Sequence, residues 1–262
     1  MIKILMAGDI VGAPGRTHFA RVVGRLRAAQ DVDFVVANAE NAAGGSGITL
    51  QLAHELLDAG ADVLTLGDHA WRQKEILHEI DREPRLLRPA NFAHGSPGRG
   101  HIAVETPWGS ISVINLIGRV FMDPMDCPFR AVDEQLDRRQ EIGRIVLVDM
   151  HAEATSEKLA MGRHLDGRVT AVVGTHTHVQ TADETILPGG TGYLTDLGMT
   201  GSKDSILGRE WQPVLQRFVT GIPARFDVAG NDLRLDGLMI HLDEKNGQVK
   251  KLRRVQVGEE KG

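Results

Sequence analysis

The sequence predicts an α/β protein with two stacked, mixed sheets flanked by helices, folded as one domain over residues 1–262. Three observations carry that reading. Short runs rich in Val, Ile and Leu recur along the chain, and most are continuous, as strands buried on both faces are. Helical patterns separate them, and repeated strand–helix–strand order means parallel pairing through crossover helices. Two regions break this rhythm with hairpin patterns, which adds antiparallel strands to the sheets.

The elements follow in order. Strands are expected at Ile2–Ala7, Phe34–Asn38, Val63–Leu66, Ile111–Asn115, Ile145–Met150 and Ala171–Gly174. Thr17–Ala29 sets Phe19, Val22, Val23 and Leu26 on one helical face, and Leu50–Ala59 does the same with Leu52, Leu56 and Leu57. Gln73–Ile80, Ala131–Ile142 and Ser156–His164 are further helices. His101–Leu116 reads as a hairpin, HIAVE and ISVINL joined by TPWGS. From about Pro223 the pattern turns antiparallel: RFDV, LRLDGLMIHL and VKKLRRVQV, joined by AGND and DEKNGQ turns. The last five residues, GEEKG, read as a frayed end.

Composition bounds the function. The 262 residues are 42% apolar and 25% charged, which suits a globular chain, and the 30 glycines follow no collagen period. No apolar run is long enough to cross a bilayer, and MIKILMAGDIVG reads as a first strand rather than a leader. The single cysteine, Cys127, excludes an internal disulfide and fits a cytoplasmic location; between two prolines it reads as a loop thiol. A net charge of −5 argues against stable nucleic-acid binding, though not against phosphate esters, because bound metal can supply local positive charge. The C-terminal strands are a candidate edge for a homo-oligomer.

The chemistry sits where strands stop. ILMAG ends at Asp9, FVVANA at Glu40 and Asn41, VLTLG at Asp68 and His69, IVLVDM at His151, and AVVGT at His176 with His178 two residues on. The carboxyl ends of parallel strands share one edge, so these five loops should meet in one crevice. Taken singly, Asp9 and Asn41 read as turn residues, and His69 and His151 as satisfied polar side chains. Five such ends together, holding four of the eleven histidines, read as a metal centre. Oxygen and imidazole donors without thiolate suit Fe, Mn or Zn. The donors outnumber one ion's needs; two ions ~3.5–4 Å apart would use them all, with Glu40 as the natural bridge.

These strings resemble a known family. MAGDIVGAPGR, NAENAAGGSGIT, TLGDHAW, RPANF, DMHAEATSEK, GTHTHVQTADE and YLTDLGMTG resemble, in order and spacing, the YmdB-type branch of the calcineurin-like metallophosphoesterases. The resemblance implies a four-layer α/β/β/α fold and a centre of two divalent or mixed-valence ions, iron first. It implies phosphodiesterase activity on small cyclic nucleotides, 2′,3′-cyclic mononucleotides above all and 3′,5′-cAMP in addition, with hydroxide held between the ions as the nucleophile. By the same resemblance Asp9, Asn41 and His178 would hold one ion, Asp68, His151 and His176 the other, Glu40 would bridge, and His69 would be the general acid. The family motif carries Asn where this chain has Asp68. A carboxylate there would raise metal affinity and lower Lewis acidity, or else impair activity.

Other chemistries lack their signatures: no P-loop, G-x-G-x-x-G, G-x-S-x-G or H-E-x-x-H occurs. Asn91 and Asn115 are candidate substrate-side donors, and the amides of NAAGGSGIT (41–49) a candidate phosphate cradle. The competing readings are a phosphomonoesterase or 5′-nucleotidase on the same site, and a nucleotide-binding regulatory protein with impaired catalysis.

Overall fold

The computed structural model describes residues 1–138 and 142–259. Its strands, in chain order, are Ile2–Ala7 (β1), Asp9–Ile10 (β2), Phe34–Asn38 (β3), Val63–Thr65 (β4), Leu86–Leu87 (β5), His101–Thr106 (β6), Gly109–Ile117 (β7), Ile145–His151 (β8), Ala171–Thr175 (β9), Thr185–Ile186 (β10), Gly192–Leu194 (β11), Met199–Ser202 (β12), Leu233–Leu242 (β13) and Val249–Gly258 (β14). The helices are Gly12–Ala28 (α1), Leu50–Asp58 (α2), Ile76–Glu79 (α3), Pro128–Asp137 (α4), Thr155–His164 (α5) and Trp211–Thr220 (α6).

Two mixed sheets result. The first runs β2-β12-β13-β1-β3-β4-β5, with β14 also paired to β13; the second runs β10-β11-β9-β8-β7-β6. Strands β1, β3, β4 and β5 are mutually parallel, as are β7, β8, β9 and β11. The expected hairpin closes as β6 on β7, and the C-terminal β13 and β14 pair antiparallel.

Strand alternation sorts the core into layers. Ile2, Ile4 and Met6 of β1 face the second sheet, where Ile111, Val113, Ile145, Leu147 and Val173 meet them. Leu5 and Ala7 face the other way, onto Phe19, Val22 and Val23 of α1 and Leu56 of α2. The outer face of the second sheet, with Leu116, Val148 and Met150, packs on Val132 of α4 and Met161 of α5. The order is therefore helices, sheet, sheet, helices: the four-layer fold the resemblance implied.

Several expectations need correction. Helix α1 begins at Gly12, five residues early, because its first turn carries Gly12, Pro14 and Gly15 and its N-cap, Val11, makes no side-chain bond. A Cβ on Gly15 would lie 2.4 Å from the Thr200 carbonyl oxygen, so glycine is required by close packing rather than by a helix stop. Gln73–Ile80 yields only the single turn of α3 and a 3-10 turn at Ile80–Arg82. The helix expected at Ala131–Ile142 starts at Pro128 and runs to Asp137; residues 139–141 lie outside the described residues. RFDV forms no strand: only Val228 bridges, to Arg209, and the Arg209 guanidinium binds the Phe226 carbonyl. Helix α6 was not expected at all. Gly258 closes β14 and the Glu259 amide donates to Leu233 O at 3.1 Å, so neither is frayed; residues 260–262 lie outside the described residues. Among the described residues no helix is long and apolar enough to cross a membrane.

Candidate metal centre

The five strand ends meet. All eight side chains named from the sequence form one connected cluster, although Asp9 and His178 lie far apart in the chain. Asp9 sits just past β1, Glu40 and Asn41 past β3, Asp68 and His69 past β4, His151 ends β8, and His176 and His178 follow β9.

The cluster has two lobes that share Glu40. In one, Glu40, Asp68, His151 and His176 each place a donor atom within 4.8 Å of the others. His151 Nε2 lies 3.1 Å from Asp68 Oδ1, 3.2 Å from Glu40 Oε2 and 3.1 Å from His176 Nδ1. In the other lobe, His178 Nε2 lies 3.7 Å from Asp9 Oδ1 and 3.1 Å from Asn41 Nδ2, and Asn41 Nδ2 donates to Glu40 Oε1 at 2.9 Å. His69 stands on the rim. Its amide donates to Glu40 Oε2 at 3.1 Å, and its Nδ1 lies 2.9 Å from Asn41 Oδ1.

The backbone explains the crossing of roles within GTHTH. His176 and His178 both have positive φ, 101° and 63°, so the loop abandons strand alternation immediately after Thr175. Their rings accordingly face different lobes. Gly67 allows another close approach: a Cβ there would lie 2.2 Å from the His151 ring and 2.4 Å from Glu40 Oε2.

Each of three imidazoles is held from behind. The Thr175 hydroxyl donates to Asp149 Oδ1 at 2.7 Å and so accepts from His151 Nδ1 at 2.9 Å, which leaves Nε2 turned inward. His176 Nε2 faces Glu153 Oε2 at 3.1 Å, leaving Nδ1 inward. His178 Nδ1 donates to Leu207 O at 3.1 Å, leaving Nε2 inward. Outer partners of this kind fix ring tautomer and orientation at metal sites. Asp149 and Glu153 are functional candidates that the sequence reading missed. The signal was present: in DMHAE, acids stand two residues before and two after His151, and period two puts Asp149 on the face of His151.

Electrostatics give the same picture. Burial raises the Asp9 carboxyl to about 7, against the pull of His151. Burial also works to raise Glu40 and Asp68, but imidazole hydrogen bonds and charge hold both well below the usual carboxylate range. His151, desolvated yet faced by Glu40 and Asp68, is raised well above an ordinary imidazole. Asp9 Oδ1 is buried with no hydrogen-bond partner. Buried carboxylates, inward-facing imidazole nitrogens and one orphaned carboxylate oxygen fit a cation of the borderline class. This group of Glu, Asp and His residues could bind metal.

The pocket over the cluster has a volume of about 310 Å³ and is lined by Glu40, Asn41, His69, Glu153, His176, His178 and Arg209 among others. A larger cavity of about 750 Å³, bounded by Arg88, Asn91, His94 and Arg130, contains none of the eight. Size alone would pick the wrong place; the donor chemistry lies in the smaller pocket.

Two suggested substrate contacts fall away. Asn91 donates to Ile117 O and Asp126 O, both at 2.8 Å, and accepts from the Ile117 amide at 2.9 Å. Asn115 donates to Leu66 O and Leu87 O at 2.7 and 3.0 Å. Both are buried braces between strand ends. In the glycine-rich loop, the amides of Ala42, Ala43, Ser46 and Gly47 bond to the loop's own carbonyls and those of Ala39 and Glu40, so these four are not free to bind phosphate.

The layered fold and this donor set together define a metallophosphoesterase-type hydrolase. The chain belongs to the YmdB-like protein family, which matches residues 5–255. It is 45% identical over 259 residues to the 2′,3′-cyclic-nucleotide 2′-phosphodiesterase of Bacillus subtilis (strain 168), covering 99% of this chain and 98% of the relative. A Thermus thermophilus structure, described as a hypothetical protein, superposes with a TM-score of 0.93 at 40% identity, covering 99% of this chain and all of that one. A Mycoplasma pneumoniae structure described as a novel phosphatase gives 0.91 at 32% identity, covering 98% of this chain and 93% of that one.

Proposed function

We propose that this protein is a dimetal phosphodiesterase acting on small cyclic nucleotides, with 2′,3′-cyclic mononucleotides as the leading substrates and 3′,5′-cAMP as a second. The observation that carries the proposal is the two-lobed cluster joined at Glu40. Asp9, Asn41 and His178 would hold one ion and Asp68, His151 and His176 the other, with one Glu40 oxygen toward each lobe. Iron is our first assignment; manganese and zinc suit the same donors. Bound there, two cations supply Lewis acidity, which acidifies water at neutral pH and offsets phosphodiester charge.

The chain's own groups do the rest. Glu40 and Asn41 fix the His69 ring through its amide and Nδ1. The Glu40 hydrogen bond, with the Glu40 and Asp68 charges, raises the His69 pKa against desolvation, which favours the protonated ring. His69 then gives that proton to the ribose oxygen as its bond to phosphorus breaks, while water supplies the new oxygen. The small pocket of about 310 Å³ opens directly over the cluster and is of mononucleotide size. A cytoplasmic location belongs to the same proposal, consistent with one free thiol at Cys127.

The test is elemental analysis of protein purified without added metal, run beside a panel of cyclic diesters and 5′-monoesters. About two ions per chain with diester turnover is the expected result. Two ions with monoester turnover only, or tight nucleotide binding without hydrolysis, would overturn it. His69→Ala should keep both ions and lower kcat by roughly 10²–10⁴; unchanged turnover would remove His69 from the mechanism.

A further inference from the structure

Helix α6 presents its apolar side to water. Trp211, Leu215 and Phe218 recur at spacings of four and three, which places them on one stripe, with Val219 beside it and Ile222 just beyond the C-cap. Their exposures are 41%, 47%, 81%, 75% and 58%. Only Val214 of the whole helix is buried against the body. A ten-residue helix is marginal in water without packing to hold it. This one is anchored mainly at its root, where the Arg209 guanidinium binds the carbonyls of Gly44, Gly45 and Phe226.

We propose that this face is covered by the same face of a second copy, in a two-fold symmetric homodimer. The five side chains expose on the order of 600 Å² of apolar surface, the top of the range for a monomer's largest patch. Two such patches pressed together remove roughly 1,200 Å², the lower bound of a specific interface, before flanking residues are added. The ends of the segment are complementary: Glu210 precedes the helix and Arg217 lies in its last turn, so an antiparallel pair sets acid near base. A lipid surface is the poorer occupant, because the helix carries one charged residue, Arg217, and the chain's net charge is −5. The strand edge at β14 is also a poorer interface. Lys250, Lys251, Arg253 and Arg254 line it, and such charges oppose edge pairing. Since α6 starts two residues after Arg209, a wall of the metal-centre pocket, the dimer brings the two pockets close to their common interface.

Sedimentation velocity of the full chain at micromolar concentrations tests this. Wild type should sediment at twice the 28.5 kDa chain mass. Leu215→Glu with Phe218→Glu should halve that mass while circular dichroism and metal content stay unchanged. As a check that needs no variant, hydrogen exchange across residues 211–220 should slow as concentration rises. A wild-type monomer throughout, a variant that stays dimeric, concentration-independent exchange, or a monomer that instead floats with anionic phosphatidylserine vesicles would each overturn the proposal.

Discussion

Glu153 shows how one side chain outside the cluster can govern another inside it. It takes His176 Nε2 at 3.1 Å and so presents Nδ1 to Asp68 and His151. Glu153→Gln can still accept but no longer stabilises the charge pushed onto the ring. Metal affinity, read by chelator competition, should fall by roughly 10–100-fold with folding unchanged; an unchanged affinity would make Glu153 a bystander. Asp9 carries a different consequence. Its native pKa, about 7, exceeds the ~3.9 of an unfolded chain. Between those values the native state binds the extra proton, so this carboxyl's effect on metal-free protein turns unfavourable as pH rises. Chelator-treated Asp9→Asn should therefore be more stable than chelator-treated wild type at pH 7.5, on the order of 1–3 kcal/mol, and equal at pH 4. Under the dimetal proposal it should also bind one ion fewer than wild type. Identical melting curves across that range would contradict the buried charge. All eight cluster residues were legible in the sequence, because each is a metal-capable side chain directly after an apolar run. Asp149 was hidden inside such a run, and Glu153 stands two residues beyond one.

At the scale of elements, the GTHTH loop is the strained part. Two histidines at positive φ must be held there, since β-carbon-bearing residues avoid that region. One restraint is Asp196, whose Oδ2 accepts the Thr177 amide at 3.2 Å and its hydroxyl at 2.7 Å. Asp196 is in turn paired with Lys158 Nζ at 2.6 Å, and both are fully buried. Removing one partner leaves an uncompensated charge, so Lys158→Met should lower stability by roughly 3–5 kcal/mol in denaturant unfolding. Adding Asp196→Leu should restore much of that stability yet not metal retention, because Thr177 is then untethered. Recovery of both would show that the loop holds itself. The same scale shows where sequence reading failed. Helix α2 was legible from its apolar face; in the structure Thr49 caps it by accepting the Leu52 amide. Helix α1 opens on Gly, Pro and Gly with no side-chain cap. Helix α6 follows a period of 3.6 in its apolar residues, but these face outward, and the antiparallel pattern beginning near Pro223 overshadows it.

For the whole molecule, the candidate metal centre is a consequence of stacking. Neither sheet holds it alone: β2 and the ends of β3 and β4 bring Asp9, Glu40, Asn41, Asp68 and His69, while β8 and β9 bring His151, His176 and His178. The shared core between the sheets, from Ile4 and Val36 to Leu147 and Val173, fixes how the two strand-end rows face each other. The two-layer sheet arrangement was legible because continuous apolar runs need cover on both faces. The short strands β2, β5 and β10 were not, since two residues give no period and their pairing is decided by tertiary contacts. Anomalous diffraction from crystals of protein purified without added metal tests the central claim most directly. Two peaks ~3.5–4 Å apart on either side of Glu40 are expected, one beside Asp9 and His178, the other beside Asp68, His151 and His176. One peak, or none within bonding reach of Glu40, would contradict the account.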